Sequence, residues 1–272
     1  MALDADLYLD CGLIPFRARF PERFVECGIA EQDMVSQAGA LALGGMLPTV
    51  HSFACFLTPR ASEQVFNNAT ERTKVLYVGM LAGIVPGGPG HSHQSIRDIA
   101  LMGSVPGMAC LEPSTEDEAR RCVEWALFEA EGPVYLRFVS VPWELGFEPP
   151  RPGPVELGRG TVVRPEGEVV MVCTGPVLAS QAYALESAAV VLLPWLRDID
   201  GGWLADVAAG RRIVVLDNHW VRGGQGDAVR AALPGERVEV IGIERVPECG
   251  SNDEVLRAHG LDAASLRERL RA

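Results

Sequence analysis

The chain of 272 residues is 48% hydrophobic and 22% charged, a globular balance that excludes a collagen-like or fully solvated polymer; at roughly 150 residues per domain it has room for two cores. Its 36 acidic against 24 basic residues leave a formal charge of −12. That field repels nucleic-acid phosphates and anionic lipid, so neither is expected as a partner.

Lys74 is the only lysine, so a Schiff-base mechanism would rest on it alone, and without a Gly-Lys-Ser/Thr sequence there is no P-loop. The seven cysteines are scattered, with no Cys-x-x-Cys pair, and are read as reduced thiols. Asp4, Asp6 and Asp10 stand where a signal peptide would carry basic residues. No run approaches the ~18 apolar residues of a membrane span, so a cytoplasmic location is expected.

In chain order, residues 29–43 read as a helix. Its Ala38, Gly39, Ala40, Ala42, Gly44 and Gly45 would let another backbone approach closely, which points to packing against a second chain. Residues 75–79, 108–111 and 134–138 read as buried strands. Between the last two, residues 115–130 form a helix announced by Pro113 and by Thr115 and Glu118 in capping-box spacing. Pro142, Pro149, Pro150, Pro152 and Pro154 then mark a stiff extended linker and a boundary near residue 150. Beyond it, strands are expected over 169–174, 190–193, 212–217 and 238–243, and helices over 226–232, 253–258 and 263–270. Short β-branched runs alternating with helical patterns predict an α/β chain of two domains, each a mostly parallel sheet flanked by helices.

Several residues are candidates for chemistry. Glu31, in Cys27-Gly28-Ile29-Ala30-Glu31-Gln32-Asp33, stands in a first helical turn, where an acid can serve the helix dipole alone or a site. Phe53 and Phe56 suit a core or a flat wall for an aromatic ligand. Gly87-Gly88-Pro89-Gly90-His91-Ser92-His93-Gln94 follows a buried strand, where open α/β sheets place their ligands. Its two histidines read as substrate or cofactor contacts, because no third ligand beside them completes a metal site. Gly223-Gly224-Gln225-Gly226 departs from the dinucleotide spacing and reads as a tight turn before a helix. There is no Gly-x-Ser-x-Gly elbow of a serine hydrolase.

Two blocks in order carry a resemblance. The first is Arg23-Phe24-Val25-Glu26-Cys27-Gly28-Ile29-Ala30-Glu31-Gln32, followed by Phe53-Ala54-Cys55-Phe56-Leu57. The second is Gly90-His91-Ser92-His93-Gln94, Val105-Pro106-Gly107 and Glu112-Pro113-Ser114. From about Leu3 onward, the chain resembles the C-terminal half of the transketolase family of thiamine-diphosphate enzymes. The resemblance implies a pyrimidine-binding domain over 1–143, the linker over 144–156 and a transketolase C-terminal-like domain over 157–272. It implies that Glu31 hydrogen-bonds N1′ of the cofactor's aminopyrimidine and favours its imino tautomer, that Phe53 and Phe56 hold this ring, and that His93 faces the substrate. Arg60, displaced one position by Pro59, together with His91 and Ser92, would contact substrate.

The family's diphosphate domain, with the Gly-Asp-Gly and the distant Asn that bind the metal, has no counterpart here. The resemblance therefore implies a split enzyme: a separate N-terminal subunit supplies that domain and the Mg2+ or Ca2+, in an α2β2 assembly. The family's usual first helix is also absent, through a trimmed start or a surface covered by the partner. A histidine and an arginine that hold the acceptor phosphate in sugar-phosphate transketolases correspond to Leu81 and Ser140 here, and an acidic residue that reads a sugar hydroxyl corresponds to Pro89. These departures point away from the pentose-phosphate reaction and toward a biosynthetic transfer of a two-carbon ketol or acyl unit from a ketose or 2-oxo acid. His-Ser-Gln segments also occur in the β subunits of 2-oxo-acid dehydrogenases, which pass an activated aldehyde to a carrier protein, and this is the alternative. A non-catalytic scaffolding subunit is the second.

Overall fold

The computed structural model describes residues 1–151 and 153–271. In the first half, the strands are β1 (Ala2–Asp4), β2 (Phe24–Glu26), β3 (Thr49–Phe53), β4 (Leu76–Met80), β5 (Ala109–Leu111) and β6 (Val134–Arg137). They form one sheet in the order β2-β1-β3-β4-β6-β5, with every pairing parallel. Its helices are α1 (Ile14–Arg19), α2 (Glu31–Leu43), α3 (Ala54–Arg60), α4 (Ser62–Thr70), α5 (Asp98–Gly103) and α6 (Glu116–Phe128). Parallel strands need helical crossovers, which cover both faces and make the central strands continuously apolar rather than alternating. Thus Leu76, Tyr77 and Val78 of β4 and all four residues of β6 are buried.

In the second half, β7 (Thr161–Arg164), β8 (Val169–Cys173), β9 (Ala188–Leu192), β10 (Arg212–Trp220) and β11 (Val238–Ile243) form a sheet in the order β11-β10-β8-β9-β7. Only β7 runs antiparallel to its neighbour. The helices are α7 (Gly175–Tyr183), α8 (Gly201–Ala208), α9 (Gln225–Ala232), α10 (Asn252–Ala258) and α11 (Ala263–Arg271). The α/β expectation of two flanked sheets is met.

Several local expectations shift for physical reasons. Helix α2 begins at Glu31 rather than at residue 29, because Gly28 takes a positive φ of 69° and turns the chain between β2 and the helix. Within the chain, α4 approaches α2 closely at Gly39, where an added Cβ would clash with the Asn68 side chain. Ala40, Gly44 and Gly45 are exposed. At α6, the Thr115 hydroxyl accepts from Glu118 N–H at 3.1 Å. The Glu118 carboxylate accepts instead from Ser114 N–H at 2.6 Å, so only half of the capping box closes. A complete box is found at Ser251 and Glu254, which open α10.

The proline-rich stretch is docked rather than free. Trp143 Nε1 donates to Ser180 Oγ at 2.8 Å, and the Phe147 and Tyr183 rings stack with centroids 4.3 Å apart, tying it to α7. Pro152 lies outside the described residues.

The two sheets meet around Arg137, the last residue of β6, which is fully buried. Its guanidinium pairs with Asp98 and Glu112, each at 2.6 Å, and donates at 2.9 Å to the Asn218 carbonyl of β10. Asp98 also accepts from the Tyr135 hydroxyl at 2.7 Å. Burial pushes both carboxyls up, but for Asp98 the Arg137 charge, with His219 and the hydrogen bonds from Arg137 and Tyr135, together outweigh it and its pKa falls. Glu112 has one oxygen without a hydrogen-bond partner, and burial prevails over Arg137, raising its pKa to about 6. An added Cβ at Gly175, where φ is +72°, would lie 2.5 Å from that same oxygen, so the glycine is required by both conformation and space.

Candidate active site

Strands β2, β3 and β4 all deliver their carboxyl ends to one edge of the first sheet, where the chain leaves the strands for the loops that carry the candidate residues. This is where a parallel α/β sheet holds ligands. From β2, the Gly28 turn presents Glu31 at the first position of α2; no side chain caps this helix at Ala30. Glu31 is only 4% exposed, which is unusual for a carboxylate whose sole task is to face a helix dipole from solvent.

From β3, Phe53 ends the strand and α3 follows at once, placing Phe56 one turn on. The two rings lie 5.7 Å apart at a tilt of 32°. Phe53 is buried and Phe56 half-buried. From β4, the loop over 81–97 returns His93 edge-on to both rings, 5.2 Å from Phe56 and 6.1 Å from Phe53. Arg60 closes the group: its Nη1 is 2.6 Å from Glu31 Oε1, and its Cζ lies 4.1 Å from the Phe56 centroid. Glu31, Phe53, Phe56, Arg60 and His93, read as far apart as residues 31 and 93, are therefore one cluster.

The other two candidates sit at its margin. Ser92 is exposed, and its Oγ lies 3.0 Å from His93 Nδ1. His91 is also exposed, and its ring contact is with Cys249 Sγ of the second half, at 3.9 Å. Cys55, between the two phenylalanines, is no ready nucleophile, since burial raises its thiol pKa to about 12. Among the described residues, no group of three or more His, Cys, Asp or Glu side chains could hold a metal ion.

The loop that carries His93 is held by the second half of the chain, through residues that sequence reasoning did not single out. Ile84 N–H donates to Asn218 Oδ1 at 3.0 Å, Gly87 N–H to Asn252 Oδ1 at 3.0 Å, and Gln94 Nε2 to the Glu248 carbonyl at 2.9 Å. A signal was present: Asp217-Asn218-His219 continues an apolar strand with polar residues, and all three are buried in β10. Leu81 and Ser140, the positions that lack the phosphate-binding pair, are neighbours in space, with Leu81 N–H donating to Ser140 Oγ at 2.9 Å. No charge is present at this pair to meet a phosphate.

A buried acid, an aromatic pair and an edge-on histidine at the carboxyl end of a parallel sheet define a ligand-binding α/β chain. Residues 1–139 match the family description "Transketolase, pyrimidine binding domain". Over 99% of its length the chain is 30% identical to a Methanocaldococcus jannaschii protein described as a transketolase C-terminal section, covering 89% of that protein. It is 31% identical to 1-deoxy-D-xylulose-5-phosphate synthase of Pseudomonas aeruginosa over 95% of the chain, but spans only 42% of that enzyme. Among solved structures, it superposes with a TM-score of 0.83 and 31% identity on a split-gene transketolase described as an inactive beta4 tetramer, covering all of this chain and 90% of that one. The Campylobacter jejuni transketolase, at 17% identity and a TM-score of 0.81, shares the fold over 99% of this chain and 43% of its own. The chain belongs to the transketolase family and corresponds to its C-terminal half.

Proposed function

We propose that this chain is the C-terminal, β-type subunit of a split thiamine-diphosphate enzyme that transfers a two-carbon ketol or acyl unit. The observation that carries this reading is Glu31, a buried carboxylate opening α2 that Arg60 joins to the Phe53–Phe56 pair. The residues suit the aminopyrimidine end of the cofactor: an acceptor withdrawn from water and flat apolar surface are what a planar heterocycle with one polar edge requires. When bound, the cofactor supplies an electron sink for cleaving a bond next to a carbonyl.

Glu31 accepts a hydrogen bond from the pyrimidine edge and fixes which ring nitrogen carries the proton. Phe53 and Phe56 orient the ring and exclude water from the Glu31 carboxylate. His93, edge-on to that wall, stands where it can hold or pass a proton at the substrate's oxygen. Ser92, hydrogen-bonded to the His93 ring, helps fix its orientation, and His91 and Arg60 contact substrate at the rim. The cofactor's diphosphate and its Mg2+ or Ca2+ are held by a separate N-terminal subunit, in keeping with a relative described as a C-terminal section and with the split-gene structure. By analogy with the latter's beta4 tetramer, the chain without its partner is inactive, and an α2β2 complex is the working form.

The identity of the transferred unit turns on the donor. A 1-deoxy sugar product has a methyl group where ketol transfer would leave a hydroxymethyl, so likeness to 1-deoxy-D-xylulose-5-phosphate synthases supports an acyl unit from a 2-oxo acid. Likeness to a transketolase section supports a ketol unit from a ketose. A donor screen on the complex tests the proposal: carbon–carbon bond formation from a ketose or from pyruvate is expected without any carrier protein. Pyruvate consumption that depends on a lipoyl carrier would assign the chain to the 2-oxo-acid dehydrogenase class instead.

A further inference from the structure

We propose that Arg60 is an internal stand-in for the cofactor's aminopyrimidine, holding Glu31 and covering Phe56 until the incoming ring displaces it. This rests on the role given to Glu31 above. A guanidinium is flat, carries N–H donors in its plane and stacks on aromatic faces. The aminopyrimidine ring is also flat and presents a donor edge.

Arg60 already makes both contacts that such a ring would need. Its Nη1 donates to Glu31 Oε1 at 2.6 Å, and its Cζ sits 4.1 Å from the Phe56 centroid. A second planar group cannot occupy the space between that carboxylate oxygen and that ring while the guanidinium fills it.

The exposures of the partners give the contact a direction. The Glu31 side chain is 4% exposed and the Arg60 side chain 44%. A buried carboxylate needs a partner, because leaving it unpaired is costly. The guanidinium, at the last residue of α3, has water to return to. Arg60 is therefore the member that leaves and Glu31 the member that stays. The exchange makes an apparent cofactor affinity lower than the intrinsic one by the fraction of chains in which Arg60 is already released. Once displaced, Arg60 is free to face substrate, so one residue serves the site in two successive positions. It is a positioning residue for Glu31 first and a substrate contact second.

Titration of thiamine diphosphate with Mg2+ into the complex with the diphosphate-binding partner, followed by stopped-flow fluorescence, tests this on wild type, R60A and R60K. R60A is expected to bind about three- to tenfold more tightly, chiefly through faster association, as removal of a competing conformer requires. R60K, which retains charge but not the flat donor plane, is expected to fall between. In the chain without cofactor, R60A is expected to lower the melting temperature by roughly 2–4 °C, an effect that shrinks in an E31Q background, where only a neutral hydrogen bond is lost, and disappears at saturating cofactor. Unchanged or weaker binding by R60A, with the wild type binding normally, would overturn the assignment to Arg60 and leave the Glu31 role intact. Failure of the wild-type complex to bind the cofactor at all would overturn both.

Discussion

Replacing Glu31 with Gln is expected to lower turnover of the assembled enzyme by roughly 10²- to 10⁴-fold, the range over which a positioned acid or base contributes, while the fold survives. The side chains are nearly the same size, so the buried pocket at the start of α2 remains filled. The amide oxygen can still accept from Arg60, although without the carboxylate's charge. What is lost is an anionic acceptor that selects one protonation pattern on the bound ring, and a neutral amide does this poorly. Steady-state kinetics on E31Q, with circular dichroism to confirm the fold, gives the result. Undiminished turnover would remove Glu31 from the mechanism and move the account toward a scaffolding subunit.

Arg137→Met is expected to be the most destabilising conservative change in the chain, at about 3–5 kcal/mol, because it strips the cation from two buried carboxylates. Asp98 and Glu112 are each 0% exposed, and neither can recover water without opening the contact between the sheets. The loss should depend on pH with a definite sign. Without the guanidinium, burial raises both carboxyl pKa values in the folded chain; Glu112 is already held at about 6 with Arg137 present. The folded R137M chain then binds more protons than the unfolded one as pH passes upward through the ordinary carboxylate range, so its stability falls with rising pH. Chemical denaturation at pH 5 and pH 8 checks this. R137M should be markedly closer to wild type at pH 5, and a pH-independent difference would contradict the network as described.

Apolar runs made the central strands legible in the sequence. Residues 75–79, 108–111, 134–138, 169–174 and 238–243 all overlap observed strands, because a strand buried on both faces is nearly all Val, Ile, Leu or small residues. The three-residue strands Ala2–Asp4 and Phe24–Glu26 lack the length for a periodic signal, as does the edge strand Thr161–Arg164, which is half-buried throughout. Thr49–Phe53 is interrupted by a half-buried His51 and a buried Ser52 and so lacks the continuous apolar run that marks the central strands. Helices α3 and α4 follow β3 with almost no interruption, and Pro59 lies inside α3, where proline weakens a helical pattern.

Glu31, Phe53, Phe56 and His93 were identifiable because the order and separation of two motif blocks match the family. Their spacing alone left each with an ordinary structural explanation. The Arg60–Glu31 pair was not legible. It joins residues 29 positions apart through a side-chain contact that neither helix nor strand periodicity encodes. The anchoring of the His93 loop by Asn218, Asn252 and Glu248 was hidden for the same reason, being a contact between sheets whose placement only the three-dimensional structure gives.

The central claim is that this chain holds one end of a cofactor whose other end belongs to another subunit. Calorimetric titration of thiamine diphosphate and Mg2+ into the chain alone, and into its equimolar mixture with a diphosphate-binding N-terminal subunit, addresses that claim most directly. Saturable binding is predicted in the mixture and not in the chain alone. Binding of equal strength to the isolated chain, or none in either sample, would contradict it.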